Sequence, residues 1–219
     1  MDIGRRDATC VWFWQNIHGV PKIIDMWVDS FRDPDYVASV VTGKHISINI
    51  VGNKHDHGSR LEVEVHGDMI GYSHHQAYQI GSVWIPHDGA AKTFAAKGKS
   101  VQEQFMAIWG GKVRKVPNLS FQDGIQACRK FLRIAEFDYR VDTEGLRQYR
   151  REWDEDKKRF RDNHYHDWAS DHADGARYMA IANHHDTIPK ELEQPRYETD
   201  RTFMEMVELN RKRRLRASR

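Results

Sequence analysis

Long apolar runs are missing from these 219 residues. No stretch of about 18 consecutive apolar residues occurs, so the sequence contains no candidate membrane-spanning helix. Cysteine is scarce: Cys10 and Cys128 each sit within an apolar pattern, which excludes a disulfide scaffold and reads as two reduced core thiols of a cytosolic protein. No excess of one charge is present, because 34 Lys and Arg stand against 32 Asp and Glu, and a net charge of +2 announces no polyanion partner. Internal repeats and low-complexity segments are absent. Met1 is followed at once by Asp2 and then by Arg5, Arg6 and Asp7, which predicts no signal peptide here. Among the 13 histidines are the pairs His55/His57, His74/His75, His164/His166 and His184/His185. None has the H-E-x-x-H spacing of a zinc site, and the default reading is surface or loop histidines. Gly98-Lys99-Ser100 resembles the end of a P-loop, but Thr93 occupies the first required glycine position, which predicts no ATPase motif.

What is present describes an ordinary globular chain, 30% charged and 39% hydrophobic, of a length for one domain with an appendage or for two small ones. Charge is unevenly distributed. Residues 211 to 219, RKRRLRASR, include Arg211, Arg213 and Arg214 and no acid, the composition of a solvated end that meets phosphates or an acidic protein face.

Residues 8 to 15 and 20 to 28 are β-branched and aromatic around His18-Gly19 and predict a β-hairpin, with Trp12, Trp14 and Trp27 in its core. Period-two alternation in HISINIVG and RLEVEVHG predicts a second hairpin within an insertion spanning about 29 to 71. SVWIPHD is an apolar strand that delivers His87 and Asp88 at its C-terminal end, with His87 reading as a residue that supports a neighbouring ligand or packs, rather than as a metal ligand itself. Ser100 and Glu103 form a capping box for a helix ending at Gly110-Gly111, and KVRKVP is a brief strand. Ser120 caps a helix whose Phe121, Ile125, Cys128 and Leu132 share one face. Residues 143 to 161 predict a charged helix with Leu146, Tyr149, Trp153 and Phe160 as its apolar stripe. Residues 169 to 182 predict the last core helix, followed by a linker marked by Pro189 and Pro195 and a terminal amphipathic helix. Strands followed by alternating strands and helices predict an α/β layered architecture with a mixed sheet.

Asp174 is the most informative residue. It falls among Ala173, Ala176, Tyr178, Ala180 and Ile181, where an ionised carboxylate costs several kcal/mol, roughly, unless a cation compensates. Arg177, three residues on, is one compensator; a metal ion is the other. Asp2 at the opening strand, Asp88 at a middle strand end and Asp174 on the late helix are three acids that a mixed sheet can bring together. Hard oxygen ligands of this kind select Mg²⁺ or Mn²⁺, and two such ions clamp a phosphodiester and activate water for its hydrolysis.

The segments DIGRRDATCVWFWQ, IPHDGAAKTFAAKGKS, SFQDGIQACRKFL with FDYRVDTEGLRQYR, and HDWASDHADGARY occur in the order found in large terminase subunits of tailed bacteriophages. The chain resembles their C-terminal nuclease domain over most of residues 2 to 182. That resemblance implies an RNase H-like fold, a mixed β-sheet flanked by helices, with the β-hairpin insertion outside the match. It implies a nuclease domain over 1–186 and a linker with basic tail over 187–219. The implied activity is an endodeoxyribonuclease that cuts concatemeric viral DNA with two Mg²⁺ or Mn²⁺ ions. The D-[LI]-G motif implicates Asp2, the P-H-D motif Asp88 and the D-[AG]-x-R-Y motif Asp174 as catalytic metal ligands. Asp7 matches a second acid of the first motif, and Asp171 stands where the family often has His, putting a fourth acid near the cluster. Lys92, Lys97 and Lys99 beside Asp88, with Arg211, Arg213 and Arg214, are candidate DNA contacts.

Implied partners are double-stranded DNA, a terminase ATPase domain, the small terminase subunit and the portal, in the cytoplasm of the infected bacterial host. In the family an ATPase domain and half of the opening strand precede the D-[LI]-G motif, so an excised domain or a split-gene product is expected. The alternatives are a catalytically inactive module that binds DNA or a protein partner, and a nuclease resembling junction resolvases.

Overall fold

The computed structural model describes residues 1, 8–51, 60–69, 78–90 and 99–187. The chain divides into two compact units, Met1–Asn183 and His184–Arg219, and the layers and cleft below are those of the first. Among the described residues there are five α-helices and nine strands in several small sheets, a mixed α/β architecture. No described helix is long and apolar enough to cross a membrane.

Strand β1 (Ala8–Ile17) turns through His18 and Gly19, both at positive φ, into antiparallel β2 (Val20–Ser30). Their pairing carries Ala8 opposite Ser30 and shifts register between Phe13 and Trp14. Helix α1 (Pro34–Thr42) follows, with Asp33 at its N-cap position, Pro34 in its first turn and Gly43 closing it in the left-handed region. It was not anticipated from the sequence, although Asp-Pro before an apolar run is a helix-start signal. The expected second hairpin is present as β3 (Lys44–Val51) and β4 (Arg60–Asp68), antiparallel.

Strand β5 (Val83–Ile85) runs into a 3-10 turn, His87–Ala90, and pairs in parallel with β6 (Val113–Lys115) after α2 (Val101–Trp109). The anticipated capping box is complete: the Ser100 hydroxyl accepts from the Glu103 N–H at 3.1 Å, and the Ser100 N–H donates to the Glu103 carboxylate at 2.7 Å. Helix α3 (Phe121–Ile134) is capped by Ser120 as expected, and β7 (Glu136–Phe137) then pairs in parallel with β2.

The single charged helix expected over 143 to 161 is not formed. Only α4 (Glu144–Gln148) is helical, and the rest is an antiparallel hairpin, β8 (Arg151–Asp154) and β9 (Arg159–His164). Asp154 accepts a hydrogen bond from the Lys157 N–H at 3.0 Å, Lys158 takes a positive φ of 48°, and Trp153 pairs with Phe160 across the strands. An Asp side chain bonding its own turn offers the backbone an alternative to the helix. The last element is α5 (Trp168–Thr187).

Both faces of the β1–β2 hairpin are buried. Val11 and Phe13 join Val37, Val41, Ile85 and Phe105 in one core cluster, beneath α1 and α2. Cys10, Trp12 and Ile23 join Phe131, Ala176 and Met179 in another, beneath α3 and α5. Strand β5 divides in the same way, with Val83 and Ile85 in the first cluster and Trp84 in a third with Val116, Ile181 and Ala182. Strand alternation thus places sheet between two helical layers.

Candidate functional site

Helix α5 crosses β1 at van der Waals distance, and Gly175 makes the approach possible. A Cβ there would lie 2.9 Å from both Cδ1 and Nε1 of Trp12 and 3.3 Å from Sγ of Cys10. The Trp12 indole N–H donates to the His172 carbonyl at 3.2 Å, tying the strand to the helix. A second glycine seats the other side of α5, because a Cβ on Gly145 of α4 would fall 2.5 Å from Cγ of His172. The seated helix presents two acids one turn apart, Asp171 and Asp174, and they meet different surroundings.

Asp171 is buried and accepts a hydrogen bond from the backbone N–H of Ala8, the first residue of β1, at 3.3 Å. Met1 is also buried, and its amino group donates to the carbonyl of Trp84 in β5 at 2.8 Å. Four residues beyond Trp84, Asp88 lies exposed in the 3-10 turn, its carboxylate without a partner among the described residues. The residues on either side of segment 2–7 are therefore bound to the strand that leads to Asp88 and to the helix that carries Asp171. Asp2 and Asp7 lie outside the described residues, as do Lys92, Lys97, Arg211, Arg213 and Arg214. Lys99 is half-buried just before the α2 cap, and His87 is exposed rather than packed, since its strand has ended.

Asp174 takes the compensator three residues away. Nε and a terminal nitrogen of Arg177 donate to its Oδ1 at 3.2 and 3.0 Å, and both side chains are largely shielded, at 14% exposure for Arg177 and 22% for Asp174. The guanidinium is held in turn over the rings of Tyr178 and Phe121, at 4.8 and 5.3 Å. Its alkyl chain covers Gly124, where a Cβ would come within 2.9 Å of Cδ. The second carboxylate oxygen, Oδ2, has no hydrogen-bond partner among the described residues.

Asp174 and Arg177 line a cleft of about 360 Å³. One wall is the anticipated apolar face of α3, Phe121, Ile125, Cys128 and Leu132; the facing wall includes Leu146, Tyr149 and His164. His164 stacks on Phe121 with ring centroids 5.3 Å apart and tilts against Tyr149 at 5.6 Å. Burial, with a further contribution from the Asp174 charge, pushes the Cys128 thiol up to about 11 and the Tyr149 hydroxyl up to about 12. Both groups therefore stay protonated at neutral pH.

Comparison of the chain with family models, curated proteins and solved structures finds no match to any of them. Function therefore rests on the site itself. Among the described residues no three His, Cys, Asp or Glu side chains form a group able to hold a metal ion. Tyr149 and His164 were not singled out as site residues, because the sequence reading put Tyr149 on a continuous helix and took His164 as one of the loop histidines. Helical spacing groups Tyr149 with Leu146 but gives no signal for His164, which reaches Phe121 of α3 from strand β9.

Proposed function

We propose that this protein is a divalent-metal-dependent endonuclease of RNase H-like architecture acting on double-stranded DNA. The observation that carries the reading is the pair of bonds flanking residues 2–7, Met1 to β5 and Ala8 to Asp171. They tie the two ends of segment 2–7, which contains Asp2 and Asp7, to the strand that leads to Asp88 and to the helix that carries Asp171, and so favour a metal site that draws on these three separate parts of the chain. The donor set is all carboxylate oxygen, which suits Mg²⁺ or Mn²⁺ and not zinc or a soft metal. When bound, two such ions supply Lewis-acid stabilisation of the scissile phosphate and activation of water. Asp88 contributes an exposed carboxylate at a strand end, and Asp171 one oriented by a backbone N–H.

Of the two α5 acids, Asp171 is the better placed ligand. Asp174 already has its charge balanced by Arg177, whose two donors share its Oδ1, so a metal ion at Asp174 would stand against a neighbouring guanidinium. Lys99, with Lys92 and Lys97, lies near Asp88 in sequence and supplies phosphate contacts without base information. The role as a terminase nuclease, with viral concatemers as substrate and an ATPase domain, small subunit and portal as partners, belongs to the same proposal and rests on the sequence motifs.

Conversion of supercoiled plasmid to nicked and linear forms tests it, with Mn²⁺, Mg²⁺ or EDTA. Cleavage is expected with metal only and to fall by about 100-fold or more in Asp88→Asn and Asp171→Asn. Asp174→Asn, which keeps an oxygen for Arg177, is expected to cut at close to the parent rate. A folded parent protein that leaves plasmid intact under every metal overturns the nuclease reading. Loss of cutting in Asp174→Asn alone moves the ligand role from Asp171 to Asp174.

A further inference from the structure

The cleft between α3, α5 and the β8–β9 hairpin is outside the carboxylate set of the proposed nuclease, and its chemistry is specific. Its lining combines an apolar and aromatic part, Ile125 and Leu132 on one side with Leu146, Tyr149 and His164 on the other, with polar and charged side chains. Among the polar atoms there without a hydrogen-bond partner in the described residues are Oδ2 of Asp174, an acceptor, and the hydroxyl of Tyr149, a donor, while Gln122, Gln126 and Asp162 add further polar groups to the lining. The rim carries Arg129 and Arg151, both exposed and without an acidic partner among the described residues. A volume of about 360 Å³ is within the range of small-molecule sites.

These features restrict what fits. An alkyl chain would strip water from the Asp174 carboxylate and return no hydrogen bond, which costs several kcal/mol in general. A bare anion would be drawn to the rim but gain nothing from the apolar walls. The complement is a flat apolar body with an N–H donor on its edge and an anionic group at one end. We infer that the cleft binds a nucleoside 5′-phosphate whose base carries an exocyclic amine, the base against the aromatic wall and the phosphate at Arg129 and Arg151. The amine donates to Oδ2 of Asp174, and the Tyr149 hydroxyl donates to a ring nitrogen or carbonyl. Thymine, without an exocyclic amine, leaves Oδ2 buried and unpaired and is discriminated against. The ligand arrives either as a free nucleotide or as a nucleotide of a DNA strand.

Cys128 reports on the site directly. It lines the cleft and is half-buried, whereas Cys10 is fully buried, so at mildly alkaline pH, where some thiolate forms, a maleimide reacts slowly with Cys128 in preference to Cys10. Alkylation is followed by mass spectrometry in EDTA, so that the outcome is independent of metal and cleavage. With dAMP, dCMP or dGMP at ten times the dissociation constant, the reaction is expected to slow about tenfold. Thymidylate protects more weakly and inorganic phosphate does not protect. Tyr149→Phe raises the nucleotide concentration needed by about fivefold, and Arg129→Ala, at an exposed position, raises it as well. Protection by a short oligonucleotide at the same nucleotide concentration assigns the cleft to a strand; protection by mononucleotides alone assigns it to a free ligand. Unchanged alkylation with all four nucleotides, or equal protection by thymidylate or phosphate, overturns the inference.

Discussion

Replacing Gly175 by Ala sets two effects of known size against each other. In an open helix interior the change stabilises by about 1 kcal/mol, because glycine is the poorer helix former. Here the added methyl would stand 2.9 Å from two atoms of the Trp12 indole and 3.3 Å from Cys10 Sγ. Carbon atoms pack at about 3.5–4.0 Å, so the methyl is too close to the ring by about 0.6 Å or more. The ring cannot yield cheaply: Trp12 is 3% exposed, Cys10 is fully buried, and the indole N–H is bonded to the His172 carbonyl. Overpacking of a filled core costs about 1–3 kcal/mol. The net expectation is destabilisation by about 1 kcal/mol, a fall in Tm of roughly 2–4 °C for a chain of this size. Because relief requires α5 to move away from β1, the Asp171 contact with Ala8 is expected to lengthen, and under the proposed function metal-dependent cleavage would fall with it. Thermal unfolding followed by circular dichroism reads the first effect and the plasmid assay the second. A rise in Tm of 2–4 °C, roughly the value for an unhindered Gly→Ala change, would refute the close packing of α5 on β1.

Two further outcomes follow from local chemistry. The raised Cys128 pKa of about 11 means that the native-state alkylation rate keeps climbing with pH beyond about 10, where an unperturbed thiol has levelled off. The sign for stability is the opposite: the folded state holds this proton through pH 9 to 11 while the unfolded chain releases it, so stability falls with rising pH in that window. A rate plateau by about pH 10 in pH-jump alkylation would contradict the burial of the thiol. On the β8–β9 hairpin, Trp153 and Phe160 meet edge-on at 4.9 Å while 42% and 58% exposed. A double-mutant cycle to Ala is expected to give about 0.5–1 kcal/mol of coupling. Zero coupling would return residues 151 to 164 to the helical alternative.

The first hairpin, the second hairpin, α2, α3 and α5 were legible in the sequence because each carries a local signal. These are period-two alternation, a capping box, a Ser cap and small residues on a helical repeat. Residues 143 to 161 misled for a physical reason. Leu146, Tyr149, Trp153 and Phe160 satisfy helical spacing by count, but the Asp154 to Lys157 turn bond and the Trp153–Phe160 cross-strand pair outweigh it. For the site, an apolar helix and a strand end made Asp174 and Asp88 the acids that need explaining, and the family resemblance added Asp171. These signals did not separate Asp171 from Asp174, because three residues of helix turn the two side chains toward different neighbours.

What the sequence by itself determined is the inventory: a mixed α/β chain, two unpaired thiols, acids at a strand end and on a late helix, and Arg177 within reach of Asp174. Those are consequences of residue type and of spacings below about one helical turn, where local backbone geometry suffices. Only the tertiary structure decided which acid faces β1, that two glycines seat α5, and that the apolar face of α3 closes a cleft with Tyr149 and His164. Each of these joins residues far apart in the chain, and a contact of that kind depends on how complementary surfaces pack, which no local pattern encodes.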